Sequence, residues 1–314
     1  MIDESLFYAK ILLFGEYGII EDSMGLSIPY ASYQGKFTYP LKTIEDNQIQ
    51  SNKHITKYVQ FLKQKCFKGE FPCKFDFVKL ESDLSKGMYF ESNIPQGFGV
   101  GSSGALVAGL YAQYALNPIT SDDIMFDDNL SELKLILSEM ESYFHGKSSG
   151  LDPLICYLNL PILIKGKGDL DTVGMPIQNI EGKGGIFLIN SGTPGKTKGM
   201  VEIFLERLKE EGFRKMVRTE LKKYNDNAVK HFLKGETKPL IENVKGISQL
   251  FLSNFQPMIP KKFEEIWKKG LETNAYYLKL CGSGGGGFLL GFAEDIDKAK
   301  AMLSDYELQV IYKI

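Results

Sequence analysis

Histidine is scarce in this 314-residue chain: only His54, His145 and His231 occur, far apart in sequence. The chain is therefore short of ligands for a multi-histidine zinc or copper centre. The four cysteines, Cys66, Cys73, Cys156 and Cys281, form no C-x-x-C pair and no zinc-ribbon spacing, and read as reduced thiols. There is no excess of charge of either sign. With 37 Lys+Arg against 39 Asp+Glu the formal net charge is −2, which advertises neither a nucleic-acid nor an anionic-membrane partner but leaves room for a local basic pocket. No apolar run reaches the roughly 18 residues of a membrane span, and the opening MIDESLFYAKILLF is acidic where a secretory signal would be basic. A cytoplasmic protein is expected. Internal repeats are missing, and low-complexity tracts are confined to two glycine loops.

What is present is an ordinary globular composition, 43% hydrophobic and 24% charged, in a chain long enough for about two domains. The first forty residues, FYAKILLFGEYGII and LSIPYASYQGKFTYPL, are rich in strand formers punctuated by turn residues. His54–Phe67 places Ile55, Tyr58, Val59, Phe61 and Leu62 at helical spacing, with short strands expected at Lys74–Leu80 and Met88–Glu91. Ser131–Phe144 carries Leu133, Ile136, Leu137, Met140 and Phe144 on one face, which predicts a helix with Ser131 as N-cap. A helical stretch from about Lys198 to Thr273 is expected to break at Gly212, Gly235, Gly246 and Pro257–Pro260. The strand at Ile186–Asn190 and the last forty residues together read as a β-α-β-β-α-β unit with extra helices inserted. The chain is accordingly divided near residue 180 into segments 1–180 and 181–314.

The segment Asn93–Leu106 (NIPQGFGVGSSGAL) places Gly97, Gly99, Gly101 and Gly104 in one loop before a good helix. A loop without Cβ atoms can turn its N–H groups toward a ligand, and the helix that follows adds the positive end of its dipole. Phosphate is the natural guest. Ser102 and Ser103 stand where a hydroxyl could touch a phosphate oxygen or a hard cation. The run also satisfies G-x-G-x-x-G, but a dinucleotide fold would need an acidic residue ending a second strand, and only Asp122 and Asp123 in TSDD lie near that distance. A Walker A loop fails because no lysine precedes either serine. A tight turn with no ligand is the plainer alternative. The second loop, Gly282–Gly287, lies between AYYLKLC and FLLGFA and has more glycine than a hairpin needs. It is either a loose hairpin or a partner of the first loop in gripping a ligand between domains.

Between the loops, Glu141 and His145 are four apart and share a helical face, and Asp152 follows a glycine/serine turn. Asp152 could be an N-cap with Pro153 at N1, Glu141 a solvated charge, and His145 a partner of the helix C-terminal carbonyls. Lys10 sits inside the apolar run AKILLF. There it either faces out from an edge strand or is buried and needs a carboxylate to offset its desolvation.

Taken together, these segments resemble the GHMP small-molecule kinases. Lys10–Tyr17 (KILLFGEY) is similar to the first motif, Ile94–Leu106 to the second, and Lys279–Gly287 (KLCGSGGGG) to the third, in the right order. Within the superfamily, His145–Asp152 (HGKSSGLD) resembles the H-G-x-P-S-G-x-D segment of mevalonate kinases, and Asn190–Lys198 (NSGTPGKTK) their D-[ST]-G-x-x-x-[ST]-[TK] segment. The resemblance implies an α+β, two-domain GHMP kinase fold, with an N-terminal ribosomal-protein-S5-like domain and a C-terminal ferredoxin-like domain with inserted helices.

It further implies an ATP- and Mg²⁺-dependent phosphorylation of a small acid's hydroxyl, first of all mevalonate. On that basis Asp152 and Lys10 are the catalytic pair, and Pro95, Gly97, Gly99, Gly101, Ser102, Ser103, Gly104, Ser283, Gly284 and Gly285 bind the nucleotide. Glu16, Tyr17, His145 and Gly282 contact the acceptor. Ser103 and Glu141 take the metal, because the family's metal-binding glutamate precedes its catalytic aspartate by the eleven residues that separate Glu141 from Asp152. The departures are Tyr8-Ala9-Lys10 for P-G-K, Ser148 for proline, Asn190 for aspartate, and Tyr17 where mevalonate kinases have a histidine. Neither Ser148 nor Asn190 is expected to bear directly on the chemistry. G-E-Y is familiar in phosphomevalonate kinases, which would also want basic residues at the acceptor, such as Lys147, Lys196 or Lys198. A GHMP-like sensor that binds without turnover is the third reading. A homodimer is compatible with the sequence.

Overall fold

The computed structural model describes residues 5–41, 45–69, 71–127, 129–166, 169–195 and 197–314. They form two compact units, and the chain passes between them several times. Unit 1 comprises Met1–Lys10, Pro29–Pro95 and Gly101–Leu160; unit 2 comprises Ile11–Ile28, Gln96–Val100 and Pro161–Ile314. Two of these crossings fall inside the strands β1 (Phe7–Phe14) and β2 (Gly25–Thr38).

In unit 1, α1 (Asp46–Phe67) starts a full two turns before the expected His54, because Glu45 and Gln48 form a reciprocal capping box ahead of a polar first stretch. Of its expected face, Ile55, Tyr58, Val59 and Leu62 are buried and Phe61 is half-buried. The short β3 (Lys74–Phe75) is followed by α2 (Phe77–Ser85), capped by the Asp76 carboxylate, where a longer strand was expected. Then β4 (Tyr89–Ser92) pairs antiparallel with the far end of β2, Gly35 opposite Ser92. The helix after the first glycine loop is α3 (Ser102–Tyr114), nine of whose residues are buried. A helix apolar all round belongs in a core. It leads through β5 (Ala115–Leu116) to α4 (Ser121–Asp127). Asp122 and Asp123 open that helix rather than end a strand, so the dinucleotide alternative loses its acidic residue. The amphipathic α5 (Leu130–His145) begins one residue before Ser131, with Asn129 flanking it and no side-chain cap. Last comes α6 (Leu151–Leu158).

In unit 2, β6 (Ile162–Gly166) pairs with the near end of β2 and with β7 (Asp169–Thr172). A second, four-stranded sheet is built from β8 (Gly185–Asn190) and three later strands. The helices α7 (Thr197–Arg207), α8 (Glu211–Met216), α9 (Lys222–Leu233), α10 (Thr237–Asn254) and α11 (Glu264–Thr273) intervene. Five residues of π-helix, Val217–Leu221, join α8 to α9. After them come β9 (Tyr277–Leu280), β10 (Phe288–Ala293), α12 (Ile296–Met302) and β11 (Leu308–Lys313). The strand order is β11-β8-β10-β9 with antiparallel neighbours throughout.

One of the expected helix breaks does not occur, and another falls slightly earlier than its glycine, between the end of α7 at Arg207 and the start of α8 at Glu211. Gly212 lies within α8, and Gly246 lies inside α10, where the Tyr224 ring of α9 comes to 2.7 Å of the place a Cβ would occupy. Here glycine serves close helix packing, a use that sequence punctuation does not distinguish from a stop. Among the described residues no helix is long and apolar enough to cross a membrane.

Candidate active site

Lys10 is buried, at 5% exposure, in the middle of β1. Its Nζ lies 2.9 Å from Oδ1 of Asp152, so of the two readings of this lysine the buried, paired one holds. Asp152 does not cap α6. That helix starts from Gly150, whose φ of +73° belongs to the left-handed region, and Asp152 sits in its first turn, where the helix dipole favours a carboxylate. Its side chain is 37% exposed, leaving one face of the carboxylate open.

Gly104 of α3 brings that helix against α6. A Cβ there would stand 2.8 Å from the carbonyl carbon of Asp152 and 2.9 Å from the Pro153 nitrogen. Backbone atoms cannot yield as a side-chain end can. Gly104→Ala should therefore cost about 1–3 kcal/mol of stability by overpacking, seen as a lower Tm in a calorimetric melt. An unchanged Tm would show that the two helices are free to separate.

Glu141, in the last turns of α5, is 4% exposed and so is no solvated charge. Ser103, in the first turn of α3, donates its hydroxyl to Glu141 Oε1 at 3.2 Å, and Ser148 donates to Oε2. Nε2 of the exposed His145 is 3.1 Å from Ser103 Oγ, which is consistent with an Nε2–H tautomer donating to a hydroxyl already committed to Glu141. Ser148 is thus the second hydroxyl on a buried carboxylate. Burial, and then the negative charge of Asp152, push the Glu141 carboxyl up to about 7.

The folded state therefore keeps this proton to a higher pH than the unfolded chain does. In metal-free protein the contribution to stability is full at acid pH, declines between about 4.5 and 7, and stays low above. The decline should be on the order of 2 kcal/mol and should vanish in Glu141→Gln. Denaturant titrations of both proteins across that range, in a chelator, check it; equal slopes would contradict it.

Of the other expected site residues, Pro95, Gly101 and Ser102 belong to unit 1, and Glu16, Tyr17, Gly97, Gly99, Gly282, Ser283, Gly284 and Gly285 to unit 2. Gly97 O accepts from Gly195 N at 2.7 Å, and a Cβ on Gly99 would stand 2.8 Å from Cys281 O. The loop Gly282–Gly287 is no loose hairpin. Gly285 N donates to Met258 O at 2.6 Å and Gly287 N to Thr193 O at 2.7 Å, and a Cβ at Gly287 would meet the Phe98 backbone at 2.8 Å.

Glu16 is 4% exposed and pairs with the fully buried Lys279, 263 residues away in the chain. Tyr17 packs its ring 4.5 Å from that of Phe204 and donates its hydroxyl to Ser283 O at 2.5 Å. Burial pushes the Tyr17 hydroxyl far above its ordinary value, so it stays a donor. Two of the four residues expected at the acceptor, Glu16 and Tyr17, thus have protein partners for their polar groups. Lys279 was quoted in the third motif without a role, and no local pattern could have assigned it one. Pro95 and Ser102 are half-buried, and Lys147 is exposed. Lys196 and the side chain of Lys198 lie outside the described residues.

Residues 54–159 match the sequence profile described as the GHMP kinases N terminal domain, a stretch that contains Ser103, Glu141 and Asp152. No curated protein matches the sequence. Solved structures match over nearly the whole chain. L. major mevalonate kinase in complex with R-mevalonate is 15% identical with a TM-score of 0.65, covering 100% of this chain and 97% of that one. Streptococcus pneumoniae phosphomevalonate kinase in complex with phosphomevalonate and AMPPNP is 12% identical with a TM-score of 0.64, covering 99% and 98%. Lactococcus lactis galactokinase complexed with galactose is 14% identical with a TM-score of 0.59, covering 98% and 93%. The chain has an α+β fold that matches the fold of these solved kinases, and within it residues 54–159 carry the match to the GHMP profile.

Proposed function

We propose that this protein is an ATP-dependent kinase of a small hydroxy acid, with mevalonate, giving 5-phosphomevalonate, as its first substrate. The observation that carries the reading is the Lys10–Asp152 pair in the same unit as the Ser103–Glu141 pair, with Ser103 in the first turn of the buried helix α3. The C-terminal sheet is read as a ferredoxin-like unit, and the region matched by the family profile as part of an S5-like one.

The donor set suits Mg²⁺. Among the described residues no three His, Cys, Asp and Glu side chains gather into a metal cluster. Magnesium, however, takes one or two carboxylates beside phosphate oxygens and water. Glu141 is a buried carboxylate raised by a second carboxylate, an arrangement that a cation would relieve. Ser103 and Glu141 would hold the ion, whose chemistry is to neutralise charge on the transferring phosphoryl group.

The chain's own residues would do the rest. The N–H groups at the start of α3, with the loop Gly97–Gly104, take the nucleotide's phosphates. Asp152 accepts the proton of the acceptor hydroxyl. Lys10 fixes the carboxylate's orientation and adds positive charge where negative charge gathers. This is positioning plus charge neutralisation, most of what phosphoryl transfer asks of a protein. By resemblance alone, Ser283, Gly284 and Gly285 are assigned to the nucleotide, and Glu16, Tyr17, His145 and Gly282 to the acceptor. Gly15-Glu16-Tyr17 also supports a second reading, phosphomevalonate kinase.

Coupled assays of ADP release with ATP, Mg²⁺ and, side by side, mevalonate, phosphomevalonate and a panel of other alcohols test the proposal. Acceleration by mevalonate supports it, acceleration by phosphomevalonate alone moves it to the second reading, and no acceleration by any alcohol leaves a non-catalytic sensor. In the active protein, Glu141→Gln should raise the Mg²⁺ concentration for half-maximal rate ~10-fold or more. An unchanged requirement would remove Glu141 from the metal.

A further inference from the structure

The segment that follows Tyr17 is gripped by one face of a helix. Ser23 is fully buried, and its hydroxyl donates to Asp226 Oδ1 at 2.7 Å while accepting from Asn225 Nδ2 at 2.8 Å. Met24 is held through its backbone alone: its N–H donates to the same Oδ1 at 2.7 Å, and its carbonyl accepts from Asn225 Nδ2 at 2.7 Å. Two turns earlier Arg218 pairs with Glu21, and Lys222 donates to the carbonyl of Asp22. Lys222 also lies 3.3 Å from Asp226 Oδ2. Positions 218, 222, 225 and 226 follow helical spacing, so the π-helical turn and α9 together devote one face to four consecutive residues.

Those residues close a loop whose backbone is unfavourable by itself. Tyr17 has φ +60° with ψ −38°, and Asp22 has φ +61° with ψ 24°. Non-glycine residues keep positive φ where the surroundings over-determine it, and such strain gathers at functional positions. One end of the loop is fixed by Glu16 on Lys279 and Tyr17 on Ser283 O. The other end is fixed by α9.

We infer that Arg218, Lys222, Asn225 and Asp226 are a positioning clamp that sets the conformation of residues 15–24, and through it the residues that meet the acceptor. Only the acceptor clause rests on the kinase reading. The clamp touches no substrate. It acts by keeping Tyr17, and with it the hydrogen bond to the loop Gly282–Gly287, in a geometry the local sequence disfavours.

The test is amide hydrogen exchange in the whole protein together with steady-state kinetics, on Asp226→Ala and Asp226→Asn. The alanine loses two hydrogen bonds to buried groups. Exchange across residues 15–24 should quicken about tenfold or more with β10 unchanged, and the acceptor KM should rise by a similar factor. Asparagine keeps an oxygen that can accept both bonds and gives up the pairing with Lys222, so Asp226→Asn should lie much nearer wild type than Asp226→Ala on both readouts. Unchanged exchange in the alanine variant overturns the clamp. Faster exchange with an unaltered acceptor KM, or an asparagine variant as impaired as the alanine, overturns its positioning role. If Asp226→Ala does not fold, Arg218→Ala, whose side chain is largely in solvent, should quicken exchange at 21–24 about threefold, and no change overturns the clamp. The exchange readout needs no substrate, so finding no acceptor would sink the kinase reading and still leave the clamp decided.

Discussion

Asp152→Asn is expected to lower turnover by about 10³-fold, the scale of a lost general base, while nucleotide binding persists. The two side chains have nearly the same shape, and the asparagine oxygen can still accept from Lys10 at the 2.9 Å the carboxylate occupies. Ser103, Glu141 and the start of α3 are untouched, so the phosphate site remains. What disappears is an acceptor for the proton of the attacking hydroxyl. Coupled assays for kcat and fluorescence titration with a nucleotide analogue separate the two effects. Near-normal turnover in this variant would remove Asp152 from the chemistry.

Lys10→Met should be nearly as severe, about 10²–10³-fold in kcat, the range found when one electrostatic stabiliser of a transition state is removed. The prediction for stability runs the other way. A buried ammonium carries a desolvation cost, which methionine of similar length does not, and Asp152 has enough solvent contact to stand alone. The melting temperature should therefore move little while turnover collapses. A variant that chiefly melts earlier, with kcat preserved, would make the pair a structural strut.

How far the sequence showed all this varies from residue to residue. Lys10 was legible because a lysine inside AKILLF either faces out or is buried with a partner, and both alternatives could be written down beforehand. The Glu141–Asp152 spacing and the serines after the glycine loop were legible through resemblance. Polarity alone left Glu141 as a solvated charge, and it is in fact buried beneath two hydroxyls. The contact of Ser148 with Glu141 was not legible, because a turn serine gives no sign of which carboxylate it will meet.

The start of α1 was hidden because polar residues 46–53 carry no apolar period, and the cap at Glu45–Gln48 supplied what periodicity did not. Gly246 was read as a stop although the Tyr224 ring demands it inside a helix. Glu16–Lys279 and the grip of Asn225 and Asp226 on Ser23 and Met24 join segments more than 200 residues apart. In one dimension KKYNDN looks like a solvated helix face. Only tertiary packing gives it a partner.

The most direct test of the central claim, that Lys10, Asp152, Ser103 and Glu141 form one phosphoryl-transfer centre, is ³¹P NMR. Wild type and Asp152→Asn would each be incubated with ATP, Mg²⁺ and the acceptor picked out by the ADP-release panel. The account predicts a new phosphate-ester resonance growing in step with ADP for wild type and missing over the same period for the variant. ADP appearing as free phosphate without an ester, or an ester formed equally fast by both proteins, would contradict it.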